Sequence, residues 1–80
     1  MSFIVHVVND DQDPVEGARV VLSFKGLAII GGGMTDPEYT DSDGHVYFDG
    51  HDRDEVEIFV DGQSYRWYIY EEGESVTITV

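Results

Sequence analysis

The side chains of this 80-residue chain best suited to chemistry are its clustered aspartates and its three histidines. Asp10, Asp11 and Asp13 lie in one polar run, and Asp41 and Asp43 precede Gly44 in another. Hard cations accept such carboxylates without strict geometry, so weak cation binding is one expectation. An EF-hand is not, because counting from Tyr39 as first ligand puts Gly50 where the bidentate glutamate belongs. Turn formation is the simpler role for both runs. His6, His45 and His51 show no HxH or HExxH spacing, so no zinc site is expected unless folding brings them together.

Nucleophilic catalysis has no visible parts. There is no cysteine, and Ser2, Ser23, Ser42, Ser64 and Ser75 lie in strand or turn segments without a Gly-x-Ser-x-Gly elbow. Gly31-Gly32-Gly33 is not followed by the Lys-Ser/Thr of a phosphate loop. The expectation is therefore no catalytic residue, no cofactor, no dedicated metal site, and no enzyme. Two apolar features point instead to binding. Arg66, Tyr68 and Tyr70 alternate with Tyr65, Trp67 and Ile69, and the latter set is expected to face the core. The outward set, with Tyr47 and Phe59, would then form an exposed aromatic patch of the kind enriched at interfaces, unless these are scattered residues on a solvated sheet. The second feature is Leu27-Ala28-Ile29-Ile30 in the glycine-rich stretch from Gly26 to Met34. It reads as a core lid or, preferably, as a contact with another subunit through Leu27, Ile29 and Ile30.

The elements that must position these residues are strands. Period-2 segments recur every 8–12 residues between turn signals, and no segment asks for a helix. Seven are expected: 2–8, 18–25, 35–40, 45–49, 55–60, 63–70 and 75–80. Their inward sets include Ala18, Val20, Leu22 and Phe24; Val46 and Phe48; Val56, Ile58 and Val60; and Val76, Ile78 and Val80. The third is interrupted by Asp36-Pro37, and Asp61-Gly62 is the strongest hairpin signal. Eighty residues allow one core, so residues 1–80 read as a single all-β domain, a seven-stranded Greek-key β-sandwich.

Charge narrows the partners. Seventeen acidic residues against four basic ones give a net of −13, and Lys25 is the only lysine. Nucleic acid needs Lys and Arg to neutralise phosphates, so no nucleic acid is expected, and an anionic membrane is disfavoured for the same reason. No apolar run approaches the ~20 residues of a membrane helix. Met1-Ser2-Phe3-Ile4-Val5-His6 has no basic n-region, so no signal peptide is expected, and the location reads as cytoplasmic or virion. An acidic surface keeps any small domain soluble. Yet aspartate exceeds glutamate ten to seven and lysine is nearly absent, and this composition resembles that of haloarchaeal proteins, in which molar salt screens the self-repulsion.

Pro14-Val15-Glu16-Gly17-Ala18-Arg19-Val20, followed by Thr40-Asp41-Ser42-Asp43-Gly44-His45-Val46-Tyr47-Phe48, resembles the carboxypeptidase regulatory-like and transthyretin-like (prealbumin-like) sandwiches over roughly residues 2–62. The resemblance implies an Ig-like sandwich and a non-catalytic accessory, adhesive or carbohydrate-associated module. Two chemically active branches do not fit. The hydroxyisourate hydrolases end in Tyr-Arg-Gly-Ser, where this chain has Thr77-Ile78-Thr79-Val80, and the Lys–Asn crosslink of adhesin domains is not expected from Asn9, the only asparagine. The expected role is a structural or accessory interaction domain, a small homo-oligomeric or protein-bound subunit such as a virion capsid decoration, turret or tail protein of a halophilic tailed virus. The alternative is a stand-alone carbohydrate- or protein-binding module, with an enzyme-associated regulatory subunit as a third class.

Overall fold

The computed structural model describes residues 1–25 and 33–80, so Leu27, Ile29 and Ile30 lie outside the described residues. Among the described residues the strands are β1 (Phe3–Val8), β2 (Arg19–Phe24), β3 (Gly33–Met34), β4 (Glu38–Tyr39), β5 (His45–Phe48), β6 (Asp54–Val60), β7 (Gln63–Tyr70) and β8 (Ser75–Thr79). They form two sheets, consistent with a β-sandwich. One has the order β5-β1-β8, with β1 antiparallel to β5 and parallel to β8. The other runs β3-β2-β6-β7, with β4 also paired to β2. No helix of the described residues is long and apolar enough to cross a membrane.

The core is built from alternate residues of both sheets. Phe3, Val5 and Val7 of β1, Val20, Leu22 and Phe24 of β2, and Val56, Ile58 and Val60 of β6 are all buried in one cluster with Val46, Phe48, Tyr70 and Ile78. β-branched and aromatic side chains favour this pleated, half-buried setting. Of the strand expected over 35–40 only Glu38–Tyr39 pairs, and a second short piece, Gly33–Met34, comes from the stretch read as a loop; both are antiparallel to β2, on either side of Asp36-Pro37. Proline has no N–H for the ladder, and the gap is bridged by Thr35, whose N–H donates to Leu22 O at 2.9 Å while its Oγ1 accepts from Leu22 N–H at 3.0 Å. Val80, expected to close the core, is 39% exposed at the end of the chain.

β6 and β7 form the predicted hairpin, with positive φ at both Asp61 (51°) and Gly62 (84°), as a type I′ turn requires. Beyond it the strands do not stay in one register. Phe59 pairs with Ser64, yet Glu57 pairs with Trp67, so Tyr65 and Arg66 together oppose Ile58 in a β-bulge. A one-residue slip moves every later side chain to the other face. The expected facing of β7 is therefore overturned past the bulge: Trp67 and Ile69 are 51% and 44% exposed, Tyr70 is fully buried, and Tyr68 is half-buried against the core.

The two segments that carry the family resemblance meet in space. Thr40, itself buried, donates its hydroxyl to Val15 O at 2.6 Å and accepts from Ala18 N–H at 2.9 Å. Its backbone bonds the same loop on both sides, with Thr40 N–H to Ala18 O at 3.0 Å and Gly17 N–H to Thr40 O at 2.9 Å. Thr40→Val keeps the shape but removes the hydroxyl, leaving the Ala18 N–H and the Val15 carbonyl without it. That substitution is expected to cost about 1–3 kcal/mol in a denaturant melt, with Thr40→Ser retaining most of the stability.

Candidate interaction surface

The expected aromatic patch does not exist as one surface. Tyr47 projects from β5 on the outside of the first sheet, where it is exposed, while Phe59 lies half-buried on the outside of the second. Tyr70 is in the core: its ring sits 4.9 Å from Phe3 and 5.4 Å from Phe24, and its hydroxyl donates to the Glu72 carboxylate. Tyr68 packs inward under the Arg66 guanidinium, which lies 5.7 Å from its ring centroid. Of the candidate contact residues described, Tyr47 and Arg66 are exposed, Phe59 and Tyr68 are partly buried, and Tyr70 is withdrawn from solvent.

In their place the fold exposes residues that alternation alone assigns to the core. Trp67 and Ile69 stand on the outer face of β7, opposite Glu57 and Glu55 of β6. β7 is an edge strand, and so is β8, and the two edges flank one groove of about 240 Å³ lined by Tyr65, Arg66, Tyr68, Thr77, Ile78 and Thr79. At the opposite side of the sandwich a second groove of about 370 Å³ is lined by Met34, Asp36, Glu38, Tyr47, Asp49 and His51 among others. A neighbouring hollow shares Glu38 and Tyr47 with it and is also lined by Tyr39 and His45. Met34 and Tyr39 were not singled out by the sequence, because Met34 ends a glycine-rich stretch without alternation and nothing in the interrupted Thr35–Thr40 segment fixes which way its side chains turn.

Folding does bring two histidines together. His6 and His45 are register partners on β1 and β5, with ring centroids 4.4 Å apart, while His51 packs separately on Phe24 at 4.7 Å. Ligand atoms of Asp41, Asp43 and His45 also lie within 4.8 Å of one another. One Asp41 oxygen is already committed to the turn, however, accepting from His45 N–H at 3.0 Å and Asp43 N–H at 2.9 Å. The His45 N–H is the main cause that holds the Asp41 carboxyl below its ordinary value; the small burial of the group opposes it, and Asp43 N–H adds to the lowering. The Asp10–Asp13 run turns around Asn9, whose Oδ1 accepts from Asp11 and Asp13 N–H, and it forms no such three-ligand group among the described residues.

A pH dependence follows from Asp41. A carboxyl whose folded value is depressed contributes stability above its unfolded value, and that contribution is lost as pH falls through the folded one. The turn is therefore expected to hold fully above pH ~4 and to weaken only in stronger acid. Carboxyl-carbon NMR should place the Asp41 midpoint below that of an ordinary aspartate, and Asp41→Asn should remove this part of the acid response.

No protein-family model matches the chain, and no curated protein matches it either. What the geometry defines is a class: a small all-β domain of two sheets, consistent with a β-sandwich, with open edges and exposed aromatics on two sides.

Proposed function

We propose that this chain is a non-catalytic structural or accessory domain that works by docking into a larger protein assembly. The observation that carries this reading is the edge strand β7, which holds Trp67 and Ile69 half out in solvent on a domain whose core is otherwise well closed. Exposed large apolar residues on an unpaired edge are a liability in a free monomer and are expected where another chain covers them. We read the fold more finely as a Greek-key sandwich of the carboxypeptidase regulatory-like or transthyretin-like kind. Support comes from the chain's passage between sheets, with β1, β5 and β8 in one and β2, β6 and β7 in the other, and from the Thr40 lock between the two motif segments. A capsid decoration, turret or tail component of a halophilic tailed virus fits this size, acidity and lack of machinery.

The native mass in about 2 M salt tests the assembly reading, since a docking subunit should be oligomeric or particle-bound and a self-sufficient module monomeric. The halophilic part has its own check. With a net charge of −13, self-repulsion is screened as salt rises, so the melting temperature followed by circular dichroism is expected to climb between ~0.1 M and ~2 M salt. A flat or falling curve would remove that part.

One observation favours a second reading, a carbohydrate- or protein-binding module. The 370 Å³ groove sets exposed Tyr47 beside the carboxylates of Asp36, Glu38 and Asp49, an apolar platform with acceptors around it. Aromatic faces of this kind stack on sugar rings. A monomer retained on a glycan array and released by Tyr47→Ala would support this module over the assembly subunit.

A further inference from the structure

We propose that the outer edge of β7 is a homodimer interface, at which the same strand of a second copy adds antiparallel to form one continuous sheet across a two-fold axis. The proposal rests on the reading of this chain as an assembly subunit and names its partner surface. Among the described residues β7 pairs only with β6, so its other edge presents unpaired backbone donors and acceptors. Protected edges carry lysine, proline or inward-pointing charge. β7 has no lysine or proline, and its one charge, Arg66, falls with Tyr65 in its one bulge, which leaves Trp67 to Tyr70 regular and uncharged.

Charge selects the occupant. Seventeen acids are spread over this chain, yet none falls in Gln63–Tyr70 or in Ser75–Val80, the two segments whose edges flank the 240 Å³ groove. A basic partner would be drawn to the carboxylates elsewhere. An equally acidic partner approaches best along this acid-free edge strand, where the nearest carboxylates on its outer face, Glu55 and Glu57 of β6, stand one strand away and are screened in molar salt, the Debye length falling from ~8 Å at physiological salt to ~3 Å at 1 M. A second copy of this chain is such a partner.

The register follows from the facing of the side chains. Residues opposite one another in an antiparallel pair share a face, so a symmetric pairing must centre on a residue. Centring on Tyr68 sets Trp67 beside the partner's Ile69 and Ile69 beside the partner's Trp67, so each exposed side chain packs one flank against the other. Aromatic and β-branched residues are favourable cross-strand partners. The same register sets Arg66, the only charge on β7, opposite the partner's Tyr70, so no two like charges face each other along the pairing.

Trp67 is the only tryptophan, so it reports the contact directly. In about 2 M salt, sedimentation should give a dimer or an even multiple of it, and Trp67 emission should shift to longer wavelength as the protein is diluted. Ile69→Lys should stay folded, as an exposed site allows, while its dissociation constant rises at least about tenfold and its Trp67 emission becomes independent of concentration. Because the chain has no cysteine, a Trp67→Cys/Ile69→Cys double variant should oxidise to a covalent dimer through two symmetric bridges. An oligomer that Ile69→Lys leaves intact, or a double variant that does not crosslink, overturns the β7 interface but not the assembly reading. A wild-type chain that is monomeric in molar salt overturns the homodimer, and if it is found on no particle either, the assembly reading falls with it.

Discussion

Tyr70→Ala is expected to lower the unfolding free energy by about 3–5 kcal/mol, while Trp67→Ala changes it by less than about 1 kcal/mol. The first figure is that of a large aromatic truncated inside a packed core. Tyr70 is fully buried, touches the rings of Phe3 and Phe24, takes the His51 ring edge-on at 5.5 Å, and has its hydroxyl satisfied by Glu72. A domain of this length holds about 4–12 kcal/mol in all, at ~0.05–0.15 kcal/mol per residue, so the Tyr70 variant should be near or past unfolding at room temperature. Trp67, half exposed on the outer face of β7, gives up little in a monomer when truncated. Urea melts of the two variants below the concentration at which chains associate compare them directly. If Trp67→Ala proves the more damaging, the bulge at Tyr65 and Arg66 is misplaced and the strand keeps its simple alternation.

Gly44→Ala is the second large effect expected, about 3 kcal/mol or more, against about 1 kcal/mol for Gly62→Ala. Both glycines have positive φ, 78° and 84°, and so both carry the penalty of a left-handed backbone on any residue with a Cβ. They differ in what surrounds them. A Cβ on Gly62 meets nothing within 4 Å, whereas one on Gly44 falls 2.5 Å from the Val7 carbonyl oxygen and 3.1 Å from Pro14 Cβ. Neither neighbour is a flexible side chain that can swing away. The Val7 carbonyl accepts from Val15 N–H at 3.0 Å and Val7 N–H donates to Gly44 O at 2.8 Å, so relief of the clash must pull β1 away from the turn. Equal losses in the two variants, measured by denaturant midpoint, would mean that the turn yields freely and that only the φ penalty operates.

The motif Thr-Asp-x-x-Gly gains a physical account from these contacts. Asp41 caps the turn through its own carboxylate, Gly44 supplies the backbone shape and the absent Cβ that let the turn press on β1, and Thr40 ties the far end of the β1–β2 loop. Each of these residues is local in its own conformation but long-range in its partner. That is why a pattern of turn residues can be read from the chain while the reason for its spacing from Pro14-Val15 cannot.

The sequence by itself determined what depends on neighbours along the chain. Alternation placed Val20, Leu22 and Phe24, Val46 and Phe48, and Val56, Ile58 and Val60 in the core, because a strand turns its side chains with a fixed period of two. Asp61-Gly62 closed a hairpin because few residue pairs tolerate two successive positive φ angles. The tertiary structure alone decided the rest. Every position from Tyr65 to Tyr70 except Arg66 is apolar or aromatic, so no polar face marks the parity of β7, and a single bulge set by the fit against β6 turned Trp67 outward and Tyr70 inward. Whether Tyr47 and Phe59 share a surface depends on which sheet each strand joins, and they lie on opposite outer faces. The pairing of His6 with His45 and the Thr40 bonds to Val15 and Ala18 likewise come from strand assembly, since contacts between residues tens of positions apart have no local signature.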